Sequence, residues 1–172
     1  MSFDNVSLFP MTADVSAEDH LVLGGCDTAD LASEFGTPLY IYDEDTLRGM
    51  CREFVGEFTS RYADTTVAYA SKAFINPALA GLVNEEGLAL DVVSGGELAV
   101  AQAVDFPVEA IYFHGNNKTP NELRMALDCG VGRIVVDGFS ELDLLDELAA
   151  DTGVTQDVML RVSPGVDPHT HA

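Results

Sequence analysis

The chain has 172 residues, 47% of them hydrophobic, and a formal net charge of −21 from 29 carboxylates against eight Lys and Arg. That is apolar material enough for one domain with a sizeable core, and it excludes a disordered chain. Such a surface repels nucleic acid and anionic membranes. Carboxylates spread over every segment are also the pattern of a halophilic protein, whose self-repulsion is screened by salt.

In the first sixty residues the stretch LVLGGC (residues 21–26) has the outline of a lipoprotein cleavage site. Asp14, Glu18, Asp19 and His20 precede it, and neither a basic segment nor a long apolar segment is present, so lipidation is rejected. No apolar run approaches membrane-spanning length. Cys26, Cys51 and Cys129 are an odd number without a CxxC pair, which supports neither a disulfide framework nor a zinc site and points to a reducing cytoplasm.

From residue 64 the chain alternates between short apolar runs and helical signals. Strands are expected at 67–71, 88–93, 110–113, 133–136 and 157–162. Asn76-Pro77 starts a helix with Leu79, Leu82 and Val83 on one face, and residues 84–87 stop it. Ser94 opens the next, with Glu97 completing a capping box. Thr119-Pro120-Asn121-Glu122 opens a third, closed by Gly130. Ser140 caps a fourth, whose Leu142, Leu145 and Leu148 keep helical spacing until Gly153.

Strands and helices alternating at this spacing imply βαβ units and a parallel sheet, either open and doubly wound or part of a (β/α)8 barrel. An open nucleotide-binding sheet would carry GxGxxG or a P-loop, and both are missing here, so the barrel fits better. The strands end on Lys72, Asp91 (with Ser94 just beyond), His114, Asp137 and Arg161, at intervals of 19, 23, 23 and 24 residues. Barrel active sites are assembled at that end of the strands. Taken singly, Lys72 reads equally as a surface lysine, Asp91 and Asp137 as loop-ordering carboxylates, His114 as a core histidine and Arg161 as the partner of a structural carboxylate.

A complete barrel takes about 250 residues, so about five βα units are expected here, with the chain breaking off in RVSPGVDPHTHA (residues 161–172). His169 and His171 are read as loop residues with no metal bound, and residues 116–118 as a loop turn.

Five stretches in series carry a resemblance: YASKAF around Lys72, GLALDVVSGGEL (87–98), FHGNNKTPNEL (113–123), GVGRIVVDGFSEL (130–142) and RVSPGVDPHTH (161–171). Together with GGCDTADLASEFGTPLYIYDEDTLR (24–48) they resemble the diaminopimelate decarboxylase family of fold-type III pyridoxal-phosphate enzymes, over nearly all of the chain after about residue 20. The resemblance implies an alanine-racemase-like fold. Residues 1–42 would pack with a β domain, and residues 43–172 would form the N-terminal part of a pyridoxal 5'-phosphate-binding barrel. It further implies decarboxylation of meso-2,6-diaminopimelate to L-lysine and CO2, the last step of lysine biosynthesis, by a cytoplasmic homodimeric lyase that binds neither nucleic acid nor membrane. Lys72 would carry the cofactor covalently, with Asp91 beside the attachment point, Arg161 near the ring's phenolic oxygen and His114 on the pocket floor. Asp137 is a weaker candidate. A strand end in a barrel mouth is expected to keep Lys72 partly dry, which favours the neutral, nucleophilic amine.

The family's phosphate-binding glycines, its ring-stacking histidine and its substrate-binding arginines fall further along than residue 172, so the chain by itself is expected to be inactive. Phe74 stands where many members carry asparagine. Arginine, ornithine or carboxynorspermidine decarboxylase would share the same lysine and barrel. A non-catalytic pyridoxal-phosphate carrier or a Schiff-base aldolase is the reading from another class.

Overall fold

A computed structural model of the chain describes residues 8–166. His169 and His171 lie outside the described residues. The chain divides into two compact units between Thr65 and Thr66.

In the first unit, β1 (Asp14–Val15), β2 (Leu21–Leu23) and β3 (Cys26–Asp27) form an antiparallel sheet in chain order. The LVLGGC stretch is a hairpin: Leu23 pairs with Cys26, and Gly24 and Gly25 between them have φ of +57° and +79°. Positive φ at both central residues is what a two-residue hairpin loop demands, and glycine supplies it without strain. Helices α1 (Thr28–Phe35) and α2 (Glu44–Thr59) follow. Asp43 caps α2 and is 8% exposed. Burial alone would raise its pKa, but hydrogen bonds donated by the Thr12 hydroxyl, the Thr46 hydroxyl and the Thr46 N–H outweigh it and lower the value. The same Thr12 contact, at 2.6 Å, ties the start of α2 back to residue 12 within this unit.

The second unit is a parallel sheet of β4 (Ala68–Ala70), β5 (Ala89–Val92), β6 (Ile111–Phe113), β7 (Arg133–Val136) and β8 (Val158–Leu160), lying side by side in chain order. Helices α3 (Pro77–Glu85), α4 (Gly95–Ala103), α5 (Pro120–Cys129) and α6 (Phe139–Thr152) fill the crossovers. A doubly wound sheet reverses its strand order at a switch point; sequential order with same-handed crossovers puts every helix on one face, as in a barrel wall. Burial follows that geometry. Leu90, Val92, Ile111, Phe113, Ile134 and Val136 alternate along the strands and are 0–3% exposed. They pack beneath the buried faces of the four helices, chiefly Leu79, Val83, Leu98, Leu123, Leu127, Leu145 and Leu148. The expected strands and helices are all present, each within the anticipated span except α6, which starts earlier.

Two helix starts differ from expectation. Ser94 does accept from the Glu97 N–H, but the Glu97 carboxylate turns to the Val93 N–H at 2.8 Å instead of completing a box. At α6 the cap is Gly138 and not Ser140. The Leu142 N–H already donates to Gly138 O at 3.1 Å, so the first turn closes two residues before Ser140. The full capping box is at α5, where Thr119 and Glu122 satisfy each other's backbone N–H groups.

Glu122 also works at long range. Its Oε1 accepts from the Gly95 N–H at 2.8 Å, and its Oε2 from the Thr119 N–H at 2.9 Å and hydroxyl at 2.8 Å, so one carboxylate ties the starts of α4 and α5 together. Hydrogen bonds from the Thr119 and Gly95 backbone are the main reason its pKa lies below the ordinary 4.5. A depressed folded value means stability that is complete above 4.5 and lost as pH falls through the lower folded value. Glu122→Gln is therefore expected to cost about 1–3 kcal/mol at neutral pH. The gap to the parent should close on acidification; denaturant unfolding of both proteins above and below pH 4.5 checks it.

Gly132, on entry to β7, is a close-approach position. A Cβ there would lie 2.1 Å from Glu109 O and 2.7 Å from Glu109 C, backbone atoms that cannot rotate away. Gly132→Ala must push β7 off the segment leading into β6, and is expected to destabilise by about 3 kcal/mol, read as a shifted urea midpoint.

Candidate active site

A strand exposes alternate residues to opposite faces, so the face away from the helices is decided once the core face is known. That other face carries Asp91, Tyr112 and Val135, each half-buried. Asp91 stands opposite Ala70 on β4 and Tyr112 on β6 in the parallel register. A cleft of about 530 Å3 opens over it, lined by Thr66, Ala68, Asp91, Tyr112, His114, Val135, Met159, Leu160 and Arg161. The volume falls in the range of small-molecule and cofactor sites.

His114 follows β6 directly, its N–H donating to Val92 O at 2.7 Å. Its Nδ1 lies 3.5 Å from Asp91 Oδ1, too far for a strong hydrogen bond. Asp91 Oδ1 and His114 Nε2 are both shielded from solvent and have no hydrogen-bond partner among the described residues. Buried polar atoms are almost always satisfied, so an acceptor and an imidazole nitrogen left open at one cleft are what a polar ligand would complete. Arg161 follows β8, its N–H bonded to Val136 O at 2.9 Å, and its Nη1 donates to Asp137 Oδ1 at 2.7 Å. Asp137 borders an adjacent hollow of about 210 Å3 with Arg161, Gly138 and Phe139.

Asp91, His114 and Arg161 thus share one cleft, while Asp137 reaches it only through Arg161. Lys72 is not among the residues lining it. It sits on the 3-10 turn Ser71–Ala73 immediately after β4, at the same end of the sheet, and its side chain is exposed where partial desolvation was expected. The reason is its place on an edge: β4 pairs with β5 on one side and with nothing on the other among the described residues. No hydrogen bond or ion pair among the described residues engages its ammonium.

The other lysine has the opposite fate. Lys118 has a side chain 1% exposed, donates to Gly115 O at 2.6 Å and Val135 O at 2.8 Å, and pairs with Glu141 Oε1 at 2.8 Å. The segment read as a loop turn therefore ends in a buried cation, which residue pattern alone did not reveal. Tyr112 was also missed, although its register between Asp91 and the cleft follows from strand alternation. Among the described residues no group of three His, Cys, Asp or Glu is placed to hold a metal ion, and no helix is long and apolar enough to cross a membrane.

Comparison with known proteins gives a consistent result. The model of a family described as pyridoxal-dependent decarboxylase, pyridoxal binding domain, matches residues 48–172. The chain is 50% identical over 163 residues to the diaminopimelate decarboxylase of Bacillus methanolicus and 53% identical over 152 residues to that of Bacillus subtilis. It aligns over 95% and 88% of its own length and spans 38% and 35% of theirs. Among solved structures, the M. jannaschii diaminopimelate decarboxylase in co-complex with L-lysine superposes with a TM-score of 0.82 at 33% identity, covering 94% of this chain and 38% of that one. The Vibrio vulnificus lysine/ornithine decarboxylase complexed with putrescine shares the fold, with a TM-score of 0.65 at 23% identity over 87% of this chain and 38% of that one.

Proposed function

The chain belongs to the pyridoxal-dependent decarboxylases through their pyridoxal-binding domain, and from that premise we propose that it serves the decarboxylation of meso-2,6-diaminopimelate to L-lysine and CO2, the closing step of lysine biosynthesis. In the balanced step, the bond between Cα and one carboxyl carbon breaks, CO2 leaves without the bonding pair, and a proton takes its place on Cα. Identities of 50% and 53% to diaminopimelate decarboxylases support this substrate over arginine or ornithine. The division at residues 42/43 belongs to the same proposal: residues 1–42 serve the β domain, and α2 opens the barrel segment although it packs in the first compact unit.

When bound, pyridoxal phosphate supplies an electron sink for the pair left behind by CO2. Lys72, Asp91, His114 and Arg161 are the residues proposed to hold it. Lys72 offers the amine of the covalent attachment, which is nucleophilic only when deprotonated. Asp91, on the neighbouring strand, balances positive charge beside that attachment point. His114, whose Nε2 has no partner among the described residues, would contact the bound group from the cleft. Arg161, steadied by Asp137, presents its remaining N–H donors to a developing or resident negative oxygen.

The observation that carries the reading is the division between the two lysines: one donates to two backbone carbonyls inside the protein and has its charge matched by Glu141, the other stands exposed at the strand end. Incubation with pyridoxal phosphate, borohydride reduction and peptide mapping are expected to place the label on Lys72. Label on neither lysine, or on both alike, would overturn the anchor. The substrate is tested on the full-length enzyme, where prior addition of meso-diaminopimelate should protect the anchor lysine more than ornithine or arginine does; equal protection by all three would overturn it.

A cytoplasmic enzyme, homodimeric at full length, that binds no nucleic acid and works at high salt completes the proposal. Three cysteines without a CxxC pair support a reducing compartment, and the net charge of −21 disfavours polyanions. Screening of the carboxylates by salt should raise Tm steadily as KCl is added. A Tm indifferent to KCl removes the halophilic reading, and a monomeric mass of the full-length enzyme in sedimentation removes the dimer.

A further inference from the structure

Lys118 stands outside the residues assigned to the cofactor, yet its contacts converge on the segment that carries one of them. His114 leaves β6 with its backbone N–H fixed to Val92 O at 2.7 Å. Gly115 comes next with φ of +105°, and a Cβ there would lie 3.1 Å from Val93 O, so the chain runs hard against the end of β5. From the opposite side Lys118 Nζ donates to Gly115 O at 2.6 Å. It also donates to Val135 O on β7 at 2.8 Å and pairs with Glu141 of α6 at 2.8 Å. The ammonium thus donates to one loop carbonyl and one strand carbonyl and has its charge matched by one helix carboxylate. A loop residue with a side chain 1% exposed thus joins three elements around the backbone of His114.

We propose that Lys118 and Glu141 are positioning residues that act through Gly115: a buried clamp that sets the direction of the His114 imidazole in the cleft. The inference rests on reading that cleft as the cofactor site. The clamp lies behind the β6–α5 loop and touches no cleft ligand itself. What it controls is the direction of Nε2, the atom left without a partner, and the 3.5 Å separation between Nδ1 and Asp91. Two carbonyls at the top of the sheet need a donor there, and an apolar side chain of the same length would pack without holding either.

The test compares the parent with Lys118→Met, which leaves Glu141 unpaired, and with Lys118→Met/Glu141→Met, which removes both charges and keeps the volume. Replacing both partners of a buried pair by apolar residues is commonly tolerated for stability. The readout is the rate at which diethyl pyrocarbonate modifies each of the four histidines, resolved by peptide mass spectrometry. In the folded double variant the rate at His114 is expected to change by about tenfold, because both hydrogen bonds that fix its loop are gone, while the other three histidines keep parental rates. An unchanged rate at His114 overturns the clamp. A parallel rise at all four also overturns it, since the pair would then serve stability alone.

Borohydride trapping of the parent separates this from the underlying reading. Label on Lys72 with His114 unmoved sinks the clamp and leaves the cofactor site standing. A shifted His114 rate with no label on Lys72 does the reverse.

Discussion

Lys72→Ala is expected to reduce borohydride-fixed incorporation of pyridoxal phosphate by at least about 10²-fold, the low end of what one positioned catalytic group contributes. No other residue in this chain can take over. The only alternative lysine, Lys118, has one donor on Gly115 O, one on Val135 O and its charge matched by Glu141. Freeing that amine would strand a carboxylate and two carbonyls in the interior, each with its own desolvation cost. Specificity for Lys72 therefore comes as much from the unavailability of Lys118 as from the exposure of Lys72. Lys72→Arg is the informative partner variant: it keeps the positive charge, cannot present a neutral amine, and should fail to trap as completely as alanine does. Retention of label in either variant, mapped to Lys118 or the N-terminus, would mean that the strand-end position has no chemical privilege.

The second large effect concerns the fold. Lys118→Met alone is expected to destabilise by about 3–5 kcal/mol, because breaking a buried ion pair leaves an uncompensated charge. Glu141, whose side chain is 12% exposed, is the charge left behind. Against the 5–15 kcal/mol that holds a typical domain together, that is a large fraction. Adding Glu141→Met should recover most of the loss, a coupling that a double-mutant cycle in urea measures directly. Salt provides a further check. An exposed pair such as Arg61–Glu57 is weakened by added KCl, whereas the Lys118 loss should be nearly the same at low and high salt, because counter-ions do not reach a side chain 1% exposed. A loss under about 1 kcal/mol would place Lys118 with ordinary surface pairs.

The amount of the fold that was legible follows from the range of the interactions involved. In the second unit, apolar runs and caps mark every strand and helix, because burying an alternate row of Leu90, Val92, Ile111 and Phe113 needs only local periodicity. Even there the Gly138 cap was misread as Ser140: cap residues favour serine statistically, but α6 begins where the backbone leaves β7, and a glycine in extended conformation suffices. In the first unit no strand or helix is marked by such a reading, although Asp43 followed by Leu47, Met50, Cys51, Phe54, Val55 and Phe58 has a cap and a helical stripe. A two-glycine hairpin is as good a reason for the glycine pair of LVLGGC as a cleavage site.

By itself the amino-acid sequence determined the βα beat, the polar residue at each strand end and the family to which the chain belongs, all of which depend on residue type and spacing alone. Tertiary structure decided the rest. It brought Asp91 and His114 to 3.5 Å, turned Arg161 onto Asp137 at 2.7 Å, left Lys72 exposed on an edge strand and buried Lys118 against Glu141, 23 residues away. Whether a lysine is a free amine or a structural cation depends on which carbonyls and carboxylates meet it across the sheet. Those meetings are set by strand register and helix packing, which join residues that local pattern treats as independent.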